Sequence, residues 1–114
     1  MHRLSNNNLT VAARSGHGTI ASVKDNTEAL VGVLSALADP IRLGIVRCLA
    51  DGEEWAGTTL AQQLGVSRAL LCHHSAILVK AGIVNRRKEG KVGYLQLNAK
   101  SLRGPLKQLL AETA

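Results

Sequence analysis

Residues Thr58 to Gly82 read TTLAQQLGVSRALLCHHSAILVKAG, and the fold is decided by how this stretch is read. Leu60, Ala61 and Leu64 recur at helical spacing, and Gly65 ends that run. Ser67 is a good N-cap for a second helix that lasts to about Lys80, where Ala81-Gly82 stops it. Only Gly65-Val66-Ser67 separates the two helices, so they must cross at a steep angle. Small Ala61 sits where they approach, Gly65 makes the turn, and Val66 plugs the angle. Leu71 returns from the second helix to pack on Leu60 and Leu64. Several positions have to agree at once for this geometry, and together they specify a helix-turn-helix, whose second helix is shaped for a DNA major groove. A plain helical hairpin inside a bundle is the competing reading.

Helical phase separates the two sides of the second helix. Leu70, Leu71, His74, Ile77, Leu78 and Ala81 share the inner side, whereas Ser67, Arg68, Ala69, Cys72, His73, Ala76 and Lys80 face outward. Arg68 lies near the N-terminal end, where it can pair bidentately with guanine. Ser67 and His73 can hydrogen-bond bases or phosphates.

Working outward, Leu30, Val33, Leu34, Leu37 and Ile41 recur at helical spacing from a start near Asp25 or Thr27. Asp39-Pro40 restarts the chain as N-cap and first helical residue of another helix, which runs to Asp51-Gly52. Thr59 and Gln62 have the spacing of a capping box at the start of the third helix. After Gly82 the period changes. Ile83 to Lys88 and Tyr94 to Leu97 read as two strands around the turn Glu89 to Gly93, whose glycines allow positive φ. A last helix from Ser101 carries Leu102, Leu106, Leu109 and Leu110 on one face, with Pro105 tolerated near its first turn. Residues 1–26, rich in Asn, Ser, Gly and Thr, predict a flexible arm ahead of a single domain at 27–114. The expected architecture is mainly α with a small β-hairpin, in the order α-α-α-α-β-β-α: a winged helix-turn-helix.

Composition narrows the function. The chain has 114 residues, no Phe, one Trp and one Tyr, so its core must be aliphatic. No apolar run approaches the roughly 20 residues of a membrane span, and no signal peptide is visible. The two cysteines, Cys48 and Cys72, then imply free thiols in a reducing cytoplasm. Of the net charge of +6, the surplus lies wholly in the C-terminal part. From Arg68 onward nine Lys or Arg face two acids, Glu89 and Glu112; the preceding residues hold five against six. Such segregation marks a face for a polyanion, because phosphate contacts release condensed counterions. Arg86, Arg87, Lys88 and Lys91 cluster around the hairpin turn, which suits a wing lying along phosphates.

These residues resemble the ArsR/SmtB family of bacterial winged-helix repressors. Leu37-Ala38-Asp39-Pro40-Ile41-Arg42-Leu43 is similar to the family's LADPTRL opening. Leu60 to Ser67, His74, Ala81-Gly82-Ile83-Val84, Arg86 to Lys91, Tyr94 and Leu97 continue the likeness, which covers about Leu34 to Leu97. The resemblance implies a homodimer joined by its first and last helices, bound to a partly palindromic operator, and repression that an inducer relieves. Independently, Leu30, Val33 and Leu37 with Leu102, Leu106, Leu109 and Leu110 form apolar stripes beyond what a small core needs, so they are the expected dimer interface. Symmetry would set the two recognition helices about 34 Å apart, one turn of double-stranded DNA.

Departures from the family pattern matter too. Metal sensors of the family carry Cys-x-Cys at the start of the third helix, or Asp and His on the last. Here Glu54 to Thr58 holds no thiol, and Ser101 to Ala114 no His, Cys or Asp, so neither site carries over and no metal or cofactor is expected. Cys72, His73 and His74 point about 100° apart on a helix and cannot converge on one ion without help, for instance from His2 or His17 of the arm. Cys72 on the outward face beside basic residues is a candidate redox site, whereas Cys48 reads as a small buried apolar residue. Glu53-Glu54 read as solvated. No nucleophile–base–acid set, phosphate loop or paired carboxylates suggest an enzyme. The rival to DNA binding is a winged helix used only for protein contacts.

Overall fold

The computed structural model describes residues 20–113, with side chains from residue 27 onward. Helix α1 (Ile20–Leu37) is followed by α2 (Pro40–Cys48), a 3₁₀ turn (Leu49–Asp51), strand β1 (Trp55–Ala56), α3 (Gly57–Leu64), α4 (Arg68–Lys80), β2 (Val84–Glu89), β3 (Val92–Leu97) and α5 (Ala99–Glu112). The arm expected over 1–26 lies outside the described residues as far as residue 19; from Ile20 the chain is already helical, earlier than the start expected near Asp25 or Thr27.

Local chemistry sets most of these boundaries. The Asp39 carboxylate accepts the Ile41 and Arg42 backbone N–H groups at 2.9 and 3.0 Å, and Pro40 occupies the first helical position. Ser67 Oγ accepts the Leu70 N–H at 3.0 Å and so starts α4. Between α3 and α4 the chain reverses through Gly65, whose φ of +68° suits glycine, and the Val66 N–H closes onto the Ala61 carbonyl at 3.0 Å.

Helices α2, α3 and α4 enclose the core with one face of the sheet. Ile45, Leu49, Leu60, Leu78, Ile83 and Val84 are fully buried, each worth about 1.5–3 kcal/mol of transfer from water. Leu71 joins this cluster, with Leu64 and Val66 packed against it. Helix α1 packs against α5 and against α2.

Several expectations are corrected. The hairpin becomes a three-stranded antiparallel sheet of order β1-β3-β2, because Trp55 and Ala56 pair with Leu95 and Tyr94. Its turn is tighter than five residues: Glu89 pairs directly with Val92, leaving Gly90 and Lys91 between them. Helix α3 starts at Gly57 after Ala56, with no side-chain cap, so the Thr59–Gln62 box does not form. Helix α5 starts at Ala99, which puts Pro105 in its interior, where it withholds an N–H from the Ser101 carbonyl. Val33, expected at a dimer interface, is buried in the protomer's own core beside Ala36. Leu70 lies at the flank of α4 and is exposed instead of facing inward.

Candidate nucleic-acid interface

Helix α4 and the hairpin form two walls of a groove of about 390 Å³. Arg68 and Cys72 line it from the first two turns of α4, and Arg86, Lys88 and Lys91 from the hairpin. Strand alternation explains the second set. Arg86 and Lys88 share a sheet face with buried Val84, and their cross-strand partners are Leu95 and Gly93. Four cations thus converge with no carboxylate among the described residues lining the groove. Cations gathered on one groove suit a site that takes up negative charge.

The same alternation turns Arg87 to the opposite face. There its Nε and Nη2 donate to the two carboxylate oxygens of Glu54 at 2.9 Å each, and Nη1 donates to Glu89 at 2.6 Å. Its guanidinium also lies 4.7 Å over the ring of Tyr94, its cross-strand partner. Hydrogen bonding from Arg87 holds the Glu54 carboxyl below its ordinary pKa, against a smaller opposing effect of desolvation. Reciprocally, Glu54 and then Glu89 raise Arg87 above the usual guanidinium range. Arg87, expected on the phosphates, is committed to two carboxylates outside the groove, and Glu54 is paired where it was read as solvated.

Of the other expected contact residues, Ala69 and His73 are exposed on the outward face of α4. Ser67 is exposed as well, with its hydroxyl engaged in capping the helix. Lys80 is exposed in the last turn of α4 and does not line the groove. Cys72 is exposed, and Cys48 is half-buried against the core, as its apolar neighbours suggested. Among the described residues no group of three His, Cys, Asp or Glu side chains could hold a metal ion; His2 and His17 lie outside the described residues.

The apolar residues assigned to pairing of two chains divide. Leu102, Leu106 and Leu110 line a groove of about 330 Å³ on α5, flanked by Arg103 and Lys107. Leu110 is 70% exposed. Leu109 and Leu30 are half-buried, and Leu37 packs against the core. On α1 the exposed apolar side chains are Val31 and Leu34. Sequence reasoning did not assign these two to an interface, because helical phase does not show which side of α1 the core claims.

Sequence reasoning also missed a polar link behind α4. Arg42 Nη1 lies 3.1 Å from His74 Nδ1, and Arg42 Nε donates to the Ala36 carbonyl at 2.7 Å. Arg42 and His74 stand 32 residues apart in the chain, so no local pattern announces their contact.

Comparison with known proteins agrees with this geometry. Residues 37–87 match the family described as Helix-turn-helix domain. The chain is 46% identical over 65 residues to the putative arsenical resistance operon repressor ArsR of Halobacterium salinarum, a match covering 56% of this chain and 50% of that protein. It is 30% identical over 78 residues to the transcriptional repressor SdpR of Bacillus subtilis, covering 68% and 86% respectively. The solved structure of HlyU from Vibrio cholerae N16961 superposes with a TM-score of 0.65 at 30% identity, covering 77% of this chain and 95% of that one. The chain therefore spans about half the length of the Halobacterium relative and most of the other two.

Proposed function

The chain belongs to the ArsR/SmtB family of winged helix-turn-helix transcriptional regulators, and on that premise we propose that it works as a homodimeric repressor on a partly palindromic operator in the cytoplasm. Helix α4 enters the major groove and reads bases through Arg68, Ala69 and His73. The hairpin lies along the backbone, with Arg86, Lys88 and Lys91 on phosphates, and Lys80 meets the flanking backbone. The observation that carries this reading is the convergence of Arg68, Arg86, Lys88 and Lys91 on one groove without a carboxylate among its described lining residues. A groove so charged binds a polyanion with a gain from the counterions it releases, which makes the affinity fall with salt. Dimerisation through α1 and α5 then supplies the second copy of α4 that a palindrome requires.

An inducer or oxidant relieves repression. Cys72 stands in the cationic groove, so a peroxide that oxidises its thiol to the sulfenic acid, itself reduced to water, places bulk where the backbone must pass. Replacing Cys72 by Ser should then abolish the peroxide sensitivity of DNA binding and leave binding without peroxide intact. If the Ser variant stays equally sensitive, the thiol is not the sensor.

The test of the main reading is selection of bound fragments from genomic DNA, followed by titration across salt concentrations. A specific complex whose affinity falls steeply with salt supports it. If no DNA is bound even at low salt, the domain serves protein contacts instead.

A further inference from the structure

Helix α4 carries, on its inner face, a polar side chain that neither the groove nor the aliphatic core requires. His74 is only 8% exposed. Its Nδ1 lies 3.1 Å from Arg42 Nη1. A guanidinium can only donate, so Nδ1 must accept, and the ring is neutral with its proton on Nε2. The same guanidinium donates from Nε to the Ala36 carbonyl at 2.7 Å and reaches the Ser35 carbonyl at 3.5 Å. Both belong to the last turn of α1, where carbonyls have no partner within the helix. Arg42 thus closes the end of α1 while His74 holds it from α4. Among the described residues, three charged or titratable groups face His74. Arg42 comes from α2, and Asp39 from the α1–α2 junction, with Oδ2 at 3.7 Å from Nδ1. His73 comes from α4 itself, with ring centroids 5.0 Å apart. From α1 the network meets backbone carbonyls.

We propose that His74 is the positioning residue of the recognition helix: as a neutral acceptor it holds Arg42 and thereby ties α4 to the end of α1. The inference rests on the DNA-binding reading above, because the angle between α4 and the pairing helix α1 determines whether both copies of α4 reach their half-sites. The link has a built-in polarity. A proton on Nδ1 sets donor against donor and charge against charge at Arg42, while Asp39 attracts the new cation. The ring exchanges one partner for the other, Arg42 loses its hold from α4, and α4 loses its reference to α1. The neutral ring is the DNA-binding form, and proton uptake weakens binding.

A second imidazole, His73, lies on the outward face beside the proposed phosphate contacts, so the test is a difference between two proteins that both carry it. His74→Asn keeps an acceptor oxygen close to the Nδ1 position and cannot take up a proton. Operator affinity of wild type and His74→Asn is measured from about pH 8 to about pH 5.5, the range in which imidazoles titrate. The two proteins should agree within about threefold at the alkaline end, and wild type should bind about tenfold more weakly than the variant at the acid end, the scale of one hydrogen bond to a charged group. Parallel profiles overturn the proposal. Imidazole ¹⁵N spectra of the wild-type protein at about pH 8 give a second readout, independent of DNA and of whether the variant folds. An unprotonated Nδ1 at His74 supports the link, and a protonated one overturns it. If neither protein binds any DNA, the functional reading fails, while the spectra still decide the state of the link.

Discussion

Arg86 and Arg87 are neighbours in sequence with opposite duties, and the period of a strand is the reason. Arg86 faces the groove beside Arg68, whereas Arg87 is spent on Glu54, Glu89 and Tyr94. Replacing Arg86 by Gln should weaken binding to all sequences similarly and lower the slope of log affinity against log salt by about one. Arg87→Gln should leave that slope near wild type and lower thermal stability instead, a pair of outcomes that salt titration and melting separate. The bridge has a pH signature. Because Arg87 holds the Glu54 carboxyl below the ordinary 4.5, its contribution is present above that unfolded-state value and fades as pH falls through the lower folded-state value. The melting temperature of wild type should therefore exceed that of Glu54→Gln at neutral pH, and the gap should close in acid. A gap independent of pH would show that the carboxylate charge is not what matters. The strand over Ile83 to Lys88 was legible in the sequence, but its cations were all expected on the phosphates, and its two-residue period turns Arg87 away from them. The identity of Arg87's partner was not legible, because Glu54 lies 33 residues away in the chain and reaches it only once β1 has paired with β3.

Elements were legible where a single residue fixes a boundary. Asp39, Ser67, Gly65 and Gly82 act through their own backbone or through N–H groups two or three residues on, so composition at those positions reveals the ends of α2, α3 and α4. Removing the α4 cap with Ser67→Ala should cost about 1 kcal/mol in denaturant unfolding. Because Ser67 stands at the proposed DNA face, affinity should be compared under conditions where the variant remains folded. Leu78, fully buried on the same helix, should cost about 2–5 kcal/mol as Ala. Strand β1 was illegible for the converse reason. Two residues carry no period, and Trp55-Ala56 becomes a strand only through Leu95 and Tyr94, contributed by another element. Thr59 and Gln62 had the spacing of a cap, but β1 commits Ala56 to extended backbone and brings the start of α3 forward to Gly57.

For the whole molecule, the first and last helices lie side by side although the chain between them builds everything else. Their apolar stripes were visible as an excess over the needs of a small core. Which residues are inward was not, because helical phase alone could not show that Val33 would be claimed by the core and Val31 and Leu34 left outside. Leu110, 70% exposed, is the gentlest place to test pairing of two chains. Leu110→Glu should leave the melting temperature of the protomer nearly unchanged and shift sedimentation toward monomer. Operator affinity should then drop by more than tenfold, since two linked half-site contacts become two separate ones. A variant that still sediments as a dimer would move the interface elsewhere.

The order β1-β3-β2 places β2 at the margin of the sheet, with its outer backbone groups paired to no other strand among the described residues. An open margin is a template on which a second chain can extend the sheet. Here it is armed with Arg86 and Lys88, whose mutual repulsion in two such margins discourages that growth. The cations proposed to meet DNA should thus also keep concentrated protein from fibre-like self-association. Variants stripped of them to abolish DNA binding should precipitate sooner, which turbidity at high protein concentration would reveal.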